Sequence, residues 1–183
     1  MRRLISFFCS LLILIILAGR FFYDQHTAQS GVELLLAVSV QESGRDSFSP
    51  FIRLRYYNFI PVYRFADEKG TVVVERRDNG RAGFVSELSD QPLRPRELRL
   101  KYVIAPPLPF ESESQGPNIR FASDFFRYSP LKKFRLSAVR YAVIRVDGAG
   151  NALLTGLADS NGVLLVRGLV FAALRTPKNQ HGG

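Results

Sequence analysis

From Leu4 to Tyr23 the chain holds twenty residues with a single charge, Arg20, and this run constrains the protein more than any other feature. At 1.5 Å of rise per residue, a helix of this length reaches about 30 Å, the thickness of a bilayer's hydrocarbon core. Two fates suit such a segment: retention as a spanning anchor, or removal as a signal peptide. Arg2 and Arg3 form a short basic start and the densest apolar stretch, Leu11 to Ala18, has signal-peptide length. Cleavage geometry decides between the two. Ile16 and Leu17 stand where Ala18 and Gly19 would need small upstream neighbours, and the first tolerable match, Ala28-Gln29-Ser30, lies well downstream. We therefore expect an uncleaved anchor, with Arg20 snorkelling to the interface and Phe21, Phe22 and Tyr23 forming an aromatic belt. Phe7 and Phe8 stand before Cys9 where a lipoprotein signal needs small residues, so Cys9 is expected to be a small apolar residue facing lipid. The positive-inside rule places the amino terminus in the cytoplasm and residues 24–183 outside it.

Residues 1–23 are thus the expected transmembrane anchor, and the 160 residues that follow are enough for one domain with a real core. Residues 24–31, DQHTAQSG, are polar without periodic apolar positions and are expected to be a tether. By random-coil scaling such a segment holds the domain within ~15–17 Å of the membrane. Residues 32–172 are the expected domain and 173–183 a disordered tail. Net charge is +9; without Arg2, Arg3 and Arg20 the body keeps 22 basic against 16 acidic side chains, or +6. One cysteine and two histidines exclude a disulfide framework, a Cys/His zinc cluster and heme attachment.

The domain reads as strands. Residues 32–40 are an apolar, partly β-branched run, and Phe51 to Tyr56 alternates, with Ile52, Leu54 and Tyr56 on one face and Arg53 and Arg55 on the other. Residues 71–76 and 82–86 flank Asp78-Asn79-Gly80, whose Asn-Gly pair tolerates positive φ, so they are expected to form a hairpin. Leu98, Leu100, Tyr102 and Ile104 alternate along a fifth strand, ended by Pro106, Pro107 and Pro109. A polar loop follows at 111–118. Ser129-Pro130 predicts one short helix, and 139–146, 152–157 and 163–171 predict three closing strands joined by tight turns. About eight short strands make the expected fold mainly β, an antiparallel β-sandwich or partly open barrel with one short helix.

Each pattern that suggests chemistry has a simpler structural account. Ser129-Pro-Leu-Lys132 matches Ser-x-x-Lys, the nucleophile and base of penicillin-recognising enzymes, but Ser-Asp-Asn and Lys-Thr-Gly are both missing and helix capping explains Ser129. Gly148-Ala-Gly150 resembles a phosphate loop, yet a strand follows it where a helix is required, so a hairpin turn is expected. His26 lies in the tether and His181 in the tail, too loosely placed for a triad or a metal. Asp67-Glu68 and Glu111/Glu113 sit among turn residues, where nothing desolvates them for acid–base work. The most suggestive cluster interleaves cations with aromatics: Arg53, Arg55, Tyr57, Tyr63, Arg64 and Phe65 have the composition of a nucleic-acid platform. Outside the cytoplasm such a surface meets lipid headgroups and wall polyanions instead. We take Arg53, Arg55, Tyr57, Tyr63 and Arg64 as the candidate interaction surface and expect no nucleic acid, no cofactor, no metal and no catalytic residue.

Residues 45–56, Arg-Asp-Ser-Phe-Ser-Pro-Phe-Ile-Arg-Leu-Arg-Tyr, resemble a degenerate form of the motif of the bacterial GDYXXLXY family. Leu54 and Tyr56 stand at the last two fixed positions and Phe51 replaces the first tyrosine, whereas Ser49 and Pro50 stand where the family has Gly-Asp. Similarity in kind continues through 70–82, 125–130 and 146–154, and so over roughly residues 32–168. The resemblance implies a single-pass protein of the bacterial inner membrane whose outer domain is an accessory or binding module for an integral-membrane partner, with no established activity. Loss of Gly-Asp removes any role that needs that carboxylate but leaves Leu54 and Tyr56 on the buried face. The alternatives are a Ser-Lys hydrolase and a secreted polyanion binder. Weak contact with anionic lipid headgroups is expected from the +6 body.

Overall fold

A computed structural model describes residues 2–41, 51–56, 68–87, 92–105, 118–127 and 134–168. The chain opens with one long helix, α1 (Arg2–Ser30), followed by β1 (Val32–Gln41), β2 (Phe51–Tyr56), β3 (Lys69–Arg76), β4 (Ala82–Glu87) and β5 (Glu97–Ala105). Two three-residue strands, β6 (Asn118–Arg120) and β7 (Phe125–Arg127), precede a 3-10 turn at Leu136–Ala138 and the strands β8 (Tyr141–Val146), β9 (Ala152–Ala158) and β10 (Leu164–Arg167).

The apolar part of α1 is long enough to cross a membrane and its most apolar window has no buried residue, which suits a membrane anchor or a signal sequence. The expected tether is corrected by the structure: residues 24–30 continue the helix to Ser30. Once a helix is nucleated, each further residue adds a hydrogen bond at little entropic cost, so a polar segment follows where packing holds it. Here packing does, because Thr27 is buried against the strands.

Among the described residues the pairings between strands are antiparallel, in a six-stranded sheet of order β10-β9-β8-β1-β2-β7 and a four-stranded sheet of order β4-β3-β5-β6. The domain is the mainly β, antiparallel, partly closed architecture that the alternation patterns predict. β1 is the central strand that joins the two halves of the six-stranded sheet. Its first half pairs with β8 from Val32↔Val146 to Ala37↔Tyr141, and its second half with β2 from Val38↔Tyr56 to Gln41↔Arg53. Along the first half the other edge meets the β3–β4 turn, where the Leu35 amide donates to the Gly80 carbonyl at 2.9 Å. That turn needs φ 75° at Gly80, a conformation glycine adopts without strain.

The inner faces of both sheets share one core. Leu34, Leu36, Ile52, Leu54, Val72 and Leu100 lie in it with Tyr56 and Tyr102. The two extra strands, β6 and β7, add Ile119 and Phe126. A smaller cluster of Leu35, Val143 and Ala158, with Tyr141 against it, sits on the outer face of the six-stranded sheet. The helix expected at Ser129, the end of the strand expected at 163–171 and the tail lie outside the described residues.

Candidate interaction surface

β2 carries the sequence-derived candidates. Ile52, Leu54 and Tyr56 are buried as the alternation requires. Phe51 pairs with Arg127 across to β7. Burial pushes the Tyr56 phenol's pKa well up, with the Asp124 charge adding to the effect, so the hydroxyl stays protonated and donates to the Ser123 carbonyl at 2.7 Å. The polar face is less open than alternation alone suggests. Arg53 keeps only 17% of its side chain exposed; it pairs with the buried Asp124 at 3.6 Å and lies over the Phe125 ring at 5.6 Å. Arg120 pairs with the same carboxylate at 3.6 Å. Arg55 is partly buried and also partnered. Tyr57, Tyr63, Arg64 and Phe65 lie outside the described residues.

Arg53 is therefore a structural cation as well as a member of the candidate surface. Its truncation leaves Asp124 buried with Arg120 alone. Arg53→Ala should cost about 1–3 kcal/mol, more than truncation of an exposed arginine, because a desolvated charge loses half of its compensation. Urea unfolding of Arg53→Ala beside Arg140→Ala measures the difference, and equal midpoints would contradict it.

The second locus is the joint between α1 and the domain, which no sequence pattern marks. The Tyr23 hydroxyl donates to Asp147 Oδ2, and Asn151 Nδ2 donates to both Tyr23 Oη, at 2.6 Å, and Asp147 Oδ2, at 2.9 Å. Asp147 also closes the β8–β9 turn, with Oδ1 accepting the amides of Ala149 and Asn151 at 2.9 and 2.8 Å. Residues 148–150 thus form the hairpin turn that the following strand implies. At the end of α1, Arg145 Nη1 donates to the Gln29 and Gly31 carbonyls, each at 3.3 Å, while Nη2 pairs with Glu33 at 3.3 Å. The helix end is thereby fastened to β8 by a carboxylate on one side and a guanidinium on the other.

Partial burial alone would raise the Asp147 pKa, but the donors from Tyr23, Asn151 and the turn amides outweigh it and hold the carboxyl below its ordinary 3.8. A depressed carboxylate pKa stabilises the fold fully above the unfolded value, and that contribution fades as the pH falls through the lowered one. Asp147→Asn should therefore lose little further stability below about pH 4, where the native chain loses this contribution. Thermal unfolding of both chains from pH 6 downward gives the comparison, and parallel curves would exclude the linkage.

The third locus lies on the outer face of the six-stranded sheet. Two adjoining hollows of about 110 and about 440 Å³ share Glu33, Val143, Leu164 and Arg167. The smaller reaches Ala28 of α1 and Arg145; the larger reaches Arg76 and the turn at Gly80. Arg76 donates through Nε to the Glu33 carbonyl at 2.9 Å, and Arg81 lies over Tyr141 at 4.8 Å while donating to the Ser160 carbonyl at 2.7 Å. The outward alternation of Tyr141, Val143 and Arg145 along β8 was the available sequence signal for this face. Its neighbours from α1, β1 and β10 were not.

Ser129, Lys132, Asp67, Glu111, Glu113 and His181 lie outside the described residues. His26 is exposed on α1, its Nδ1 3.1 Å from the Ser30 hydroxyl. Cys9 is exposed within the apolar helix. Among the described residues no group of three or more His, Cys, Asp or Glu side chains is placed to hold a metal. Comparison with protein-family models, with curated proteins and with solved structures finds no match to this chain.

Proposed function

We propose that this chain is a single-pass, membrane-anchored accessory module. Its amino terminus lies in the cytoplasm, its β domain stands outside it at the bacterial inner membrane, and it acts beside an integral-membrane partner without catalysing a reaction. Kinship with the GDYXXLXY proteins belongs to this proposal and rests on the order of the motifs from residue 45 onward. One observation carries the reading: α1 is continuous from the apolar span into the domain. The first tolerable cleavage sequence, Ala28-Gln29-Ser30, lies inside that helix. Removal of residues before Gly31 would also take away Tyr23 and Thr27, which the domain holds. The span leaves Phe7, Leu12, Leu14, Ile16 and Phe22 exposed, an apolar surface that lipid or a partner helix must cover.

The mature protein should accordingly keep its first thirty residues, and an intact mass beginning near Gly31 would refute the anchor. For topology, Gln180→Cys in a Cys9→Ala background should react with an impermeant thiol reagent in intact spheroplasts. Labelling only after lysis would reverse the orientation. A specific partner should stay bound to the full chain through a half-molar salt wash, since apolar contact is not screened as lipid attraction is.

A further inference from the structure

We propose that the groove between the last turns of α1 and the outer face of the β1–β8–β9–β10 sheet binds the phosphate of an anionic phospholipid headgroup. The inference rests on the membrane-anchored reading and assigns it a lipid site. Depth is the first ground. If the hydrocarbon core ends near Tyr23, Ala28 stands five residues further on, about 7.5 Å along the helix axis. Each polar layer of a bilayer is roughly 5–8 Å thick, so the mouth of the groove opens where lipid phosphates lie. A flexible tether would leave this depth undefined; the docked helix sets it.

Charge is the second ground. Arg76, Arg145 and Arg167 line the two hollows, with Glu33 and Asp78 as the only acids among the described residues. Both acids are already engaged, Glu33 by Arg145 and Asp78 by Arg96 at 2.6 Å. The Arg145 side chain spends its donors on Gln29, Gly31 and Glu33, whereas among the described residues the Arg167 guanidinium makes no hydrogen bond or ion pair and that of Arg76 uses only Nε. Two guanidinium groups thus retain donors toward one space, the arrangement that suits a phosphate's planar, forked recognition. A water needs about 10–15 Å³ of such space, so even the smaller hollow admits a phosphate.

Apolar lining is the third ground. Ala28, Val143 and Leu164 stand beside the cations, and Leu164 is exposed. A free inorganic anion has no use for that surface, while the glycerol and upper acyl carbons of a lipid do. The phosphate chemistry is common to both ligands, and the apolar wall together with the depth favours the lipid.

The test uses the full chain extracted in mild detergent and examined by native mass spectrometry. Intact mass first reports whether α1 is retained; a chain lacking it defeats the anchor reading itself, separately from the groove. In mixed micelles of equal phosphatidylglycerol and phosphatidylcholine, the retained chain should carry one phosphatidylglycerol in preference to phosphatidylcholine. Arg167→Gln and Arg76→Gln should each lower that occupancy about tenfold, as expected for loss of a charge-assisted hydrogen bond. Arg140→Gln, which removes the same charge just before the start of β8, should change it less than about twofold; the comparison separates a site from bulk attraction. Arg145 is left intact because it fastens the helix. Equal losses in all three variants, or equal occupancy by the two lipids, would overturn the site. Displacement of the lipid by millimolar inorganic phosphate or glycerol 3-phosphate would overturn the lipid assignment in favour of a soluble phosphate.

Discussion

Leu54→Ala should lower the stability of the domain by about 2–5 kcal/mol, the range for deleting a fully buried leucine whose surroundings relax only in part. Leu54 is 0% exposed and sits in β2 between β1 and β7. Its amide is held too, donating to the Asp124 carbonyl at 2.8 Å, so the backbone has little freedom to close a cavity. Against a typical total of 5–15 kcal/mol, the change should bring the domain close to its folding threshold. Urea midpoints of the full chain in detergent provide the measurement, with the exposed Val85→Ala as a control expected within about 0.5 kcal/mol. Similar midpoints for the two variants would mean that β2 does not pass through the core.

Gly31→Val should be nearly as damaging, for the opposite reason. A Cβ at Gly31 would lie 2.5 Å from the Thr27 carbonyl oxygen, 3.1 Å from the Val146 carbonyl oxygen and 3.2 Å from Arg145 Cβ. Two of the three are backbone atoms, which cannot step aside as a flexible side chain would. The Gly31 amide also donates to the Thr27 carbonyl at 2.9 Å, so separating the clashing atoms breaks the bond that ends α1. Overpacking of this kind costs about 1–3 kcal/mol or more, and the weakest neighbouring contact yields first. That contact is the docking of residues 24–30, so their amide hydrogens should exchange at least about tenfold faster while the strands change little. Unchanged exchange there would show that the joint tolerates a side chain.

What could be seen from the sequence followed the range of the interactions involved. β2 was legible because alternation is local: Ile52, Leu54 and Tyr56 face one way whatever lies elsewhere. The β3–β4 hairpin was legible from Asn79-Gly80, and the β8–β9 turn from the strand after Gly150. The strands β6 and β7 were not, since three residues are too few for a period and only their partners β5 and β2 make them strands. Arg53 was correctly given an outward direction but not its cover, because Asp124 arrives from seventy-one positions away in the chain. Residues 24–30 showed no apolar period and were expected to be loose. Tyr23 is secured by Asp147, 124 positions distant, and a local window holds no trace of that bond.

The unbroken passage of α1 into the domain gears the span to the sheet. Each residue of a helix advances the azimuth by about 100° and the height by 1.5 Å. Inserting one alanine between Phe22 and Tyr23 would leave both the apolar run and the docked segment chemically intact, yet turn one against the other by more than a quarter of a revolution. Seven inserted residues, close to two full turns, would return the original phase about 10 Å higher. A partner helix lying against one side of the span therefore meets one particular side of the β domain, and the helical phase selects which side that is.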